Sequence, residues 1–506
     1  MKKLKKLLAV LGVCMMFTAN MPWIHAQEET TTQQGEGDLL QQILDRGELI
    51  VGTSPDFPPM EFIDTTKEGQ DQYVGCDIEM AKYIADKLGV KLTIKAMDFD
   101  AVLASVTTQQ IDMAITGITK TPARESSMEM TDSYFDEEGE SGWQGILIKK
   151  DKKDVYTSLD TLKGKKIAVQ SGSLQDFYVK DQLPDAKIQY ITQLNDAIEL
   201  LNNGTVDAVA TAYGTGKDFV EQKDGLYIGE ELLFTLNANY TGNRIGIPKG
   251  ETALLYRVND IVKEIKDQHL YEEWYQEALN YGKTKIEGNY VERVLQIAQI
   301  YWPKFLQGLG ATLGLALITV LGGTLLGLVL ALVKLSKNKF VKFLSAAYVE
   351  IIRGTPLLLQ LWLFVTIFAL FKAEMIVSVI VALIVNSSAY VAEIIRGGIM
   401  AVDKGQWEAA KSLGMSNQHM MTKIIFPQAF KTILPSLGNE FIMMVKETSL
   451  ASTFYIGELM TANNVIKTAT YFTLETLTIT AIIYFVVTFS LSKLVNYMER
   501  RMGVSD

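Results

Sequence analysis

Two patterns of apolar and polar positions divide the chain. From residue 39 to 285, short apolar runs alternate with stretches whose apolar residues recur at helical spacing. ELIVGTS is followed by DIEMAKYIADKLGV closing at Gly89, then by KLTIKAM, AVLASVTTQQ and IDMAITG. The order recurs with KKIAVQSG, a helix from Leu174, AKIQYIT, NDAIELLNNG and VDAVATA. Alternating strand and helix predicts parallel sheets covered by helices on both faces. The pattern restarts after a break near residues 136–146, which gives two α/β lobes: about 39–140 with 236–285, and about 141–235. Ligands of such sheets sit beyond the carboxyl ends of the strands, so a cleft between the lobes is the expected site.

Beyond residue 304 Leu, Ile, Val, Ala and Phe dominate. Phe305 to Val333 is a run of 29 residues without a charge, longer than the roughly 20 that a helix needs to cross a bilayer. Lys334, Lys337, Lys339 and Lys342 follow at once, which places that end in the cytoplasm by the bias of basic residues. Further spans are expected at 343–371, 375–396, 432–456 and 474–496, about five helices within 305–498, with 286–304 as a linker. Asn439, Glu440, Lys446 and Glu447 interrupt the fourth. Glu350, Arg353 and Glu393 lie in or at the edge of spans. An ionisable group costs about 3 kcal/mol at the bilayer centre, so each should face a cavity, a partner or an interface.

The N-terminus carries four lysines, an apolar run from Leu7 to Thr18, and Ala26. This is a secretory signal pattern over 1–26, followed by a polar linker at 27–38. The region from 39 is then exported. Net charge is -10 and no basic patch with interleaved aromatics occurs, which argues against a nucleic-acid partner. With Cys14 in the leader, Cys76 has no internal disulfide partner and reads as a small buried residue.

Three stretches carry candidate chemistry. In ITGITKTPARE a strand ends at Thr116 and Gly117, Thr121 can cap a helix and Pro122 can open it. Arg124 then falls in the first helical turn, where free N–H groups and a guanidinium suit a carboxylate. In QSGSLQD, Gly172 and Ser173 open a second helix after a strand. In GQWEAAKSLG, a short helix should be closed by Gly414 in a left-handed conformation, with Asn417 capping the next. No G-x-x-x-x-G-K-[ST] phosphate loop occurs, and His25, His269 and His419 are scattered. The expectation is therefore a non-enzymatic chain with no metal and no cofactor of its own.

The segments GTSPDFPPMEF, GCDIEMAKYIADKLGV, DFDAVLASVTTQQIDMAITGITKTPARE and LKGKKIAVQSGS resemble the extracellular binding proteins for polar amino acids, two-lobed α/β clamps of the periplasmic-binding-protein type. The run EAAKSLGMSNQHMMTKIIFP, within about 403–430, resembles the EAA coupling loop of ABC importer permeases. EIIRGTPLLLQ, NSSAYVAEIIRGGI and VKETSLAS are similar to permeases of polar-amino-acid importers, of the histidine/glutamine type. The resemblance implies an α/β clamp fused to an all-α transmembrane permease. Arg124 would take the ligand α-carboxylate with Thr116, Gly117 and Thr119, and Phe57 and Phe99 would flank the ligand. Ser173 and Gln175 would close from the second lobe, Gln170 would reach the side chain, and Asp77 and Glu61 would lie near its end. Glu408, Ala409, Ala410 and Gly414 would engage a separate ABC ATPase, which holds the ATP and Mg. The assembly implied is a homodimer in the plasma membrane, multi-pass, with the clamp outside. Three positions depart from the family: Ala212 where an acid usually holds the ammonium, Ser54 where some basic-amino-acid binders carry Asp, and Cys76 where an aromatic is usual. The alternatives left open are an amino-acid-gated channel and a sensory receptor.

Overall fold

A computed structural model describes residues 39–502, apart from 136–141, 224, 238–239, 280–285, 335, 337, 370 and 372. The expected leader and linker, with Cys14, lie outside the described residues.

The N-terminal region, from Glu48 to Pro248, folds into two five-stranded sheets. The first has β1 (Glu48–Thr53), β5 (Lys91–Ala96), β6 (Met113–Thr119), β7 (Met128–Met130) and β13 (Asn243–Pro248) in the order β5-β1-β6-β13-β7. The second has β8 (Gln144–Lys149), β9 (Lys166–Gln170), β10 (Lys187–Ile191), β11 (Ala208–Ala212) and β12 (Leu226–Leu233) in the order β10-β9-β11-β8-β12. Three short strands, β2 (Asp56–Phe57), β3 (Glu61–Ile63) and β4 (Tyr73–Val74), form a small antiparallel sheet beside the first lobe.

The sheets are mixed rather than wholly parallel. β1, β5 and β6 run parallel, as do β9, β10 and β11, but β13 is antiparallel to β6 and β8 to β11. The two crossings between lobes explain this. Parallel strands end at the cleft, so a chain arriving from the other lobe enters there and runs away from it. Asn243, first in β13, is accordingly paired with Thr119, last in β6.

Helical spacing decides which faces are buried. Helix Thr252–Asp267 buries Leu254, Val258, Ile261, Val262 and Ile265, an i, i+4, i+7, i+8, i+11 stripe, against Leu49 and Val51 of β1 and helix Cys76–Leu88. Each such side chain contributes about 1.5–3 kcal/mol by leaving water. Gly89 closes helix Cys76–Leu88 at φ 71°, a conformation that glycine adopts without strain.

In the apolar region the first helix runs unbroken over Tyr290–Lys334, so most of the expected linker 286–304 is helical. Its extension is held by Ile297, Tyr301 and Phe305, spaced by four, which pack on Leu459, Ile466, Ile479 and Ile483. The expected span 343–371 is two helices, Lys339–Arg353 and Leu357–Ala369, bent by 109°. Gly354-Thr355-Pro356 lies at the break. Pro356 has no N–H and disfavours helical backbone before it. Gln360 Nε2 meets the freed groups, donating to Ile352 O at 2.7 Å and Thr355 O at 3.2 Å. Helix Met375–Met400 covers the third expected span. The fourth, 432–456, is instead helix Phe426–Glu447 followed by a 3₁₀ turn Thr448–Phe454, and helix Leu459–Thr470 was not foreseen. The chain ends in helix Thr473–Arg501. Among the described residues, three helices are long and apolar enough to cross a membrane, or four with the bent pair.

Candidate binding site

A cavity of about 80 Å³ lies between the two sheets, lined from the first lobe by Ser54, Asp56, Phe57, Met60, Glu61, Phe99, Thr116, Gly117, Thr119, Arg124 and Asn243, and from the second by Gln144, Gln170, Ser173, Leu174, Gln175, Leu194 and Ala212. Every expected ligand contact except Asp77 lines it. Asp56, Gln144 and Asn243 were not singled out from sequence. Their signal is positional, since Gln144 and Asn243 each begin a strand where the chain crosses lobes.

Arg124 owes its place to the helix start. Thr121 Oγ1 accepts the Arg124 N–H at 3.4 Å, and Pro122 opens helix Pro122–Ser127. Arg124 is 5 % exposed. It donates to Thr119 O and, across the cleft, to Gly172 O at 2.8 Å, and lies 5.4 Å from the Phe99 ring centre. No carboxylate pairs with it among the described residues. Burial lowers its pKa to about 10. A buried guanidinium satisfied only by carbonyls keeps a positive charge without a counter-charge, an environment that suits an anion.

Glu61 and Asp77 form a buried acid pair with different surroundings. Asp77 accepts from Tyr271 Oη at 2.6 Å, Gly117 N at 2.9 Å and Tyr134 Oη at 3.0 Å. Its oxygens are occupied by the fold, and it sits behind the cavity wall. Glu61 lines the cavity, and its Oε1 accepts from Thr116 Oγ1 at 2.6 Å. Its Oε2 meets no donor among the described residues. Burial first, then the charge of Asp77, pushes Glu61 well above the usual carboxylate range. A proton on Glu61 is what lets it face Asp77. Burial also raises Asp77, opposed by its three donors.

Ser173 caps helix Leu174–Gln182, its Oγ accepting from Asp176 N at 3.1 Å. Gln175 Nε2 donates to Gln144 Oε1 at 2.6 Å, and Gln170 Nε2 to Thr192 O at 2.9 Å. Gly117 has φ 54°, and a Cβ there would come within 3.2 Å of Met60 Sδ and 3.6 Å of the Phe57 ring. At the departures from the family, Ser54 Oγ donates to Asp56 Oδ1 at 2.7 Å. Ala212 offers the cavity no acceptor side chain. Cys76 is fully buried, its Sγ 3.2 Å from Tyr271 Oη, and burial pushes the thiol up, away from reactivity.

In the apolar region, helix Lys404–Ser412 is capped by Asp403, which accepts from Gly405 N at 2.7 Å. Gly414 follows at φ 72° with nothing within 4 Å of a Cβ. The next helix is capped by Ser416, not Asn417; Ser416 Oγ accepts from His419 N at 3.3 Å, and Asn417 is the first helical residue. Ala410 and Met420 pack against Ile395, Ile399, Ala429 and Ile433, leaving Glu408 and Ala409 exposed and Leu413 80 % exposed. Glu393 pairs with Lys334 and with Arg396 Nη2 at 2.8 Å, Arg353 lies 5.4 Å from the Tyr390 ring centre, and Glu350 is exposed.

A model of the bacterial extracellular solute-binding proteins, family 3, matches residues 49–280, and one of the binding-protein-dependent transport system inner membrane component matches residues 323–504. The chain is 36 % identical over 209 residues to the L-cystine transport system permease protein of Bacillus subtilis (strain 168), covering 41 % of this chain and 89 % of that protein. It is 38 % identical over 209 residues to the arginine transport system permease protein of the same organism, covering 40 % and 94 %. Among solved structures, an amino acid ABC transporter substrate-binding protein from Streptococcus pneumoniae bound to L-arginine is 31 % identical, with TM-score 0.43, over 47 % of this chain and 97 % of that one.

Proposed function

The chain belongs to the amino-acid ABC transport permeases, with a family 3 solute-binding domain fused to the inner membrane component, and on that footing we propose that it imports a polar amino acid at the expense of ATP hydrolysed by a separate subunit. The clamp stands outside the cell on a multi-pass permease, takes the ligand from the medium and delivers it to the membrane module of the same chain. The observation that carries this reading is Arg124, a buried cation with no carboxylate partner among the described residues. An α-carboxylate completes it. Thr116, Gly117 and Thr119 lie beside the carboxylate, Phe57 and Phe99 flank the ligand, and Ser173, Gln170 and Gln175 close from the second lobe.

Glu61 supports a choice among side chains. Its unpartnered oxygen can accept from a cationic or amide group, and a cation there favours the ionised carboxylate. An acidic side chain would meet a second carboxyl group. Basic and amide amino acids therefore rank above acidic ones. Calorimetric titration of the full chain against the twenty amino acids tests this. Binding of a basic or amide ligand is expected, and preferential binding of glutamate or aspartate would overturn the ranking.

The exposed Glu408, Ala409 and Leu413 beside Gly414 are the surface offered to the ATPase. One chain brings one such loop, and an importer with two nucleotide sites needs two, so the working assembly is a homodimer with two ATPase subunits. Native mass spectrometry counts the copies; one copy beside two ATPases would refute it. The match of the membrane part to a transport component gives the channel and sensory-receptor readings no support.

A further inference from the structure

Ala212 ends β11 and lines the ligand cavity from the second lobe with a methyl group. It is also the residue before helix Tyr213–Gln222, whose start has no side-chain cap and no acid in its first turn. The first N–H groups of a helix have no partner within it, and together they make its positive end. The acids that line the cavity, Asp56 and Glu61, both stand on the first lobe, and Asp56 Oδ1 already accepts from Ser54 Oγ at 2.7 Å. An α-ammonium held between the lobes would therefore face a methyl group and the positive end of a helix across the cleft. Taking an ammonium out of water against such a wall is costly.

A second cavity, of about 220 Å³, adjoins this wall and is larger than the ligand cavity itself. Phe57, Met60 and Ala212 line both. Gly214 and Thr215, in the first turn of the helix, line the second, with Asp218 and Glu221 further along. A Cβ at Gly214 would meet nothing within 4 Å, so the space beside that first turn is open.

We propose that the clamp binds amino acids whose α-nitrogen is acylated, with the acyl group in the second cavity and its carbonyl oxygen at the start of helix Tyr213–Gln222. An amide nitrogen has no charge to desolvate. Its acyl oxygen accepts from first-turn N–H groups, whose positive end favours an oxygen as it disfavours an ammonium. The free carboxylate is still needed, because Arg124, buried and without a carboxylate partner among the described residues, lines the ligand cavity. Glu61, with its unpartnered Oε2, still faces the side chain. The same chemistry is offered by an N-acyl amino acid and by a dipeptide, whose terminal ammonium would meet the carboxylates of Asp218 and Glu221. The inference rests on the import reading and names the chemical class of what is imported.

The test is calorimetric titration of the full chain with L-glutamine and L-arginine, with their Nα-acetyl forms, and with glycyl-L-glutamine and glycyl-L-arginine. At least one acylated form should bind about tenfold more tightly than the free amino acid with the same side chain. Whether the acetyl or the glycyl form is the tighter separates the two sources. Ala212→Asp puts an acid on the wall and should reverse the order of free and acylated forms. Gly214→Leu fills the second cavity and should lower the ratio of acylated to free affinity about tenfold or more. A parent chain that binds the free amino acid at least as tightly as either acylated form would overturn the inference and leave the import reading in place. Binding of none of the probes, free or acylated, would overturn both. An order that neither variant changes would also overturn the inference, since the acyl group would then lie elsewhere.

Discussion

Replacing Arg124 by Met separates the worth of this residue to the fold from its worth to the ligand. In the ligand-free clamp the guanidinium is buried with only carbonyl partners among the described residues, and burial lowers its pKa from the ordinary guanidinium range to about 10. At 1.36 kcal/mol per pKa unit, that is about 3 kcal/mol of uncompensated cost. Met keeps much of the side-chain stem and removes the charge. It also loses the bonds to Thr119 O and Gly172 O, each worth about 1 kcal/mol. The two effects nearly cancel, so the ligand-free clamp should be as stable as the parent, or more so by about 1 kcal/mol. With ligand the sign reverses. Removing one partner of a buried charged pair costs about 3–5 kcal/mol, or roughly a hundredfold to several thousandfold in affinity. The assay is paired: thermal unfolding of the empty full chain, and calorimetric titration with L-arginine and L-glutamine. Stability held with affinity lost is the expected result. Near-parental affinity would refute the carboxylate assignment, and a ligand-free loss of about 3 kcal/mol or more would mean that the guanidinium serves the fold.

Three further perturbations follow from the geometry. Glu61→Gln matches the neutral carboxyl of the empty clamp, so stability should hold, while affinity for L-arginine or L-lysine falls about tenfold or more relative to L-glutamine; equal losses for all three would remove Glu61 from specificity. Gly414→Val meets no steric neighbour, so its cost is confined to a β-branched residue at positive φ, about 1–2 kcal/mol locally; amino-acid binding should persist and ligand-stimulated ATP hydrolysis should be lost, and full stimulation would clear the loop of a coupling role. Asp98 is pushed to about 7, by burial first and then by Asp56 and Asp100, against Gln193 and Lys467; a carboxyl raised on folding favours the folded state at low pH, so stability should rise as pH falls from about 7 towards 4, and Asp98→Asn should flatten that rise in pH-dependent unfolding. A profile that Asp98→Asn leaves unchanged would deny Asp98 that part.

What the sequence made legible was what local rules govern. Gly89 and Gly414 were readable as helix stops because only glycine takes positive φ freely, and Thr121-Pro122 marked the helix that aims Arg124 because cap and first-turn chemistry are local. The family segments brought the cavity residues with them. The antiparallel β8 and β13 were not readable from alternation, since their direction is set by which end of a sheet the chain re-enters after crossing lobes. In the membrane module, hydropathy averages hid the break at Gly354-Thr355-Pro356, because Leu and Ile on both sides outweigh three residues whose effect is on backbone direction. Helix Leu459–Thr470 fell between two expected spans: Asn463, Asn464, Lys467 and Thr468 break the apolar run that marks a span, yet all are buried. Asp77 was misplaced as a ligand contact because spacing cannot tell a carboxylate facing a cavity from one already holding Tyr134, Tyr271 and Gly117.

Inward movement of an amino acid with energy from ATP, as proposed above, can be followed directly. The most direct measurement is uptake of radiolabelled L-arginine and L-glutamine by proteoliposomes. They contain the full chain together with the ATPase subunit that copurifies with it, with ATP supplied on the side of the Glu408 loop. Accumulation of at least one of the two against its gradient, dependent on ATP and abolished in Arg124→Met, is the expected result. Amino-acid-evoked ion current without ATP, or accumulation that persists when ATP is withheld, would contradict it.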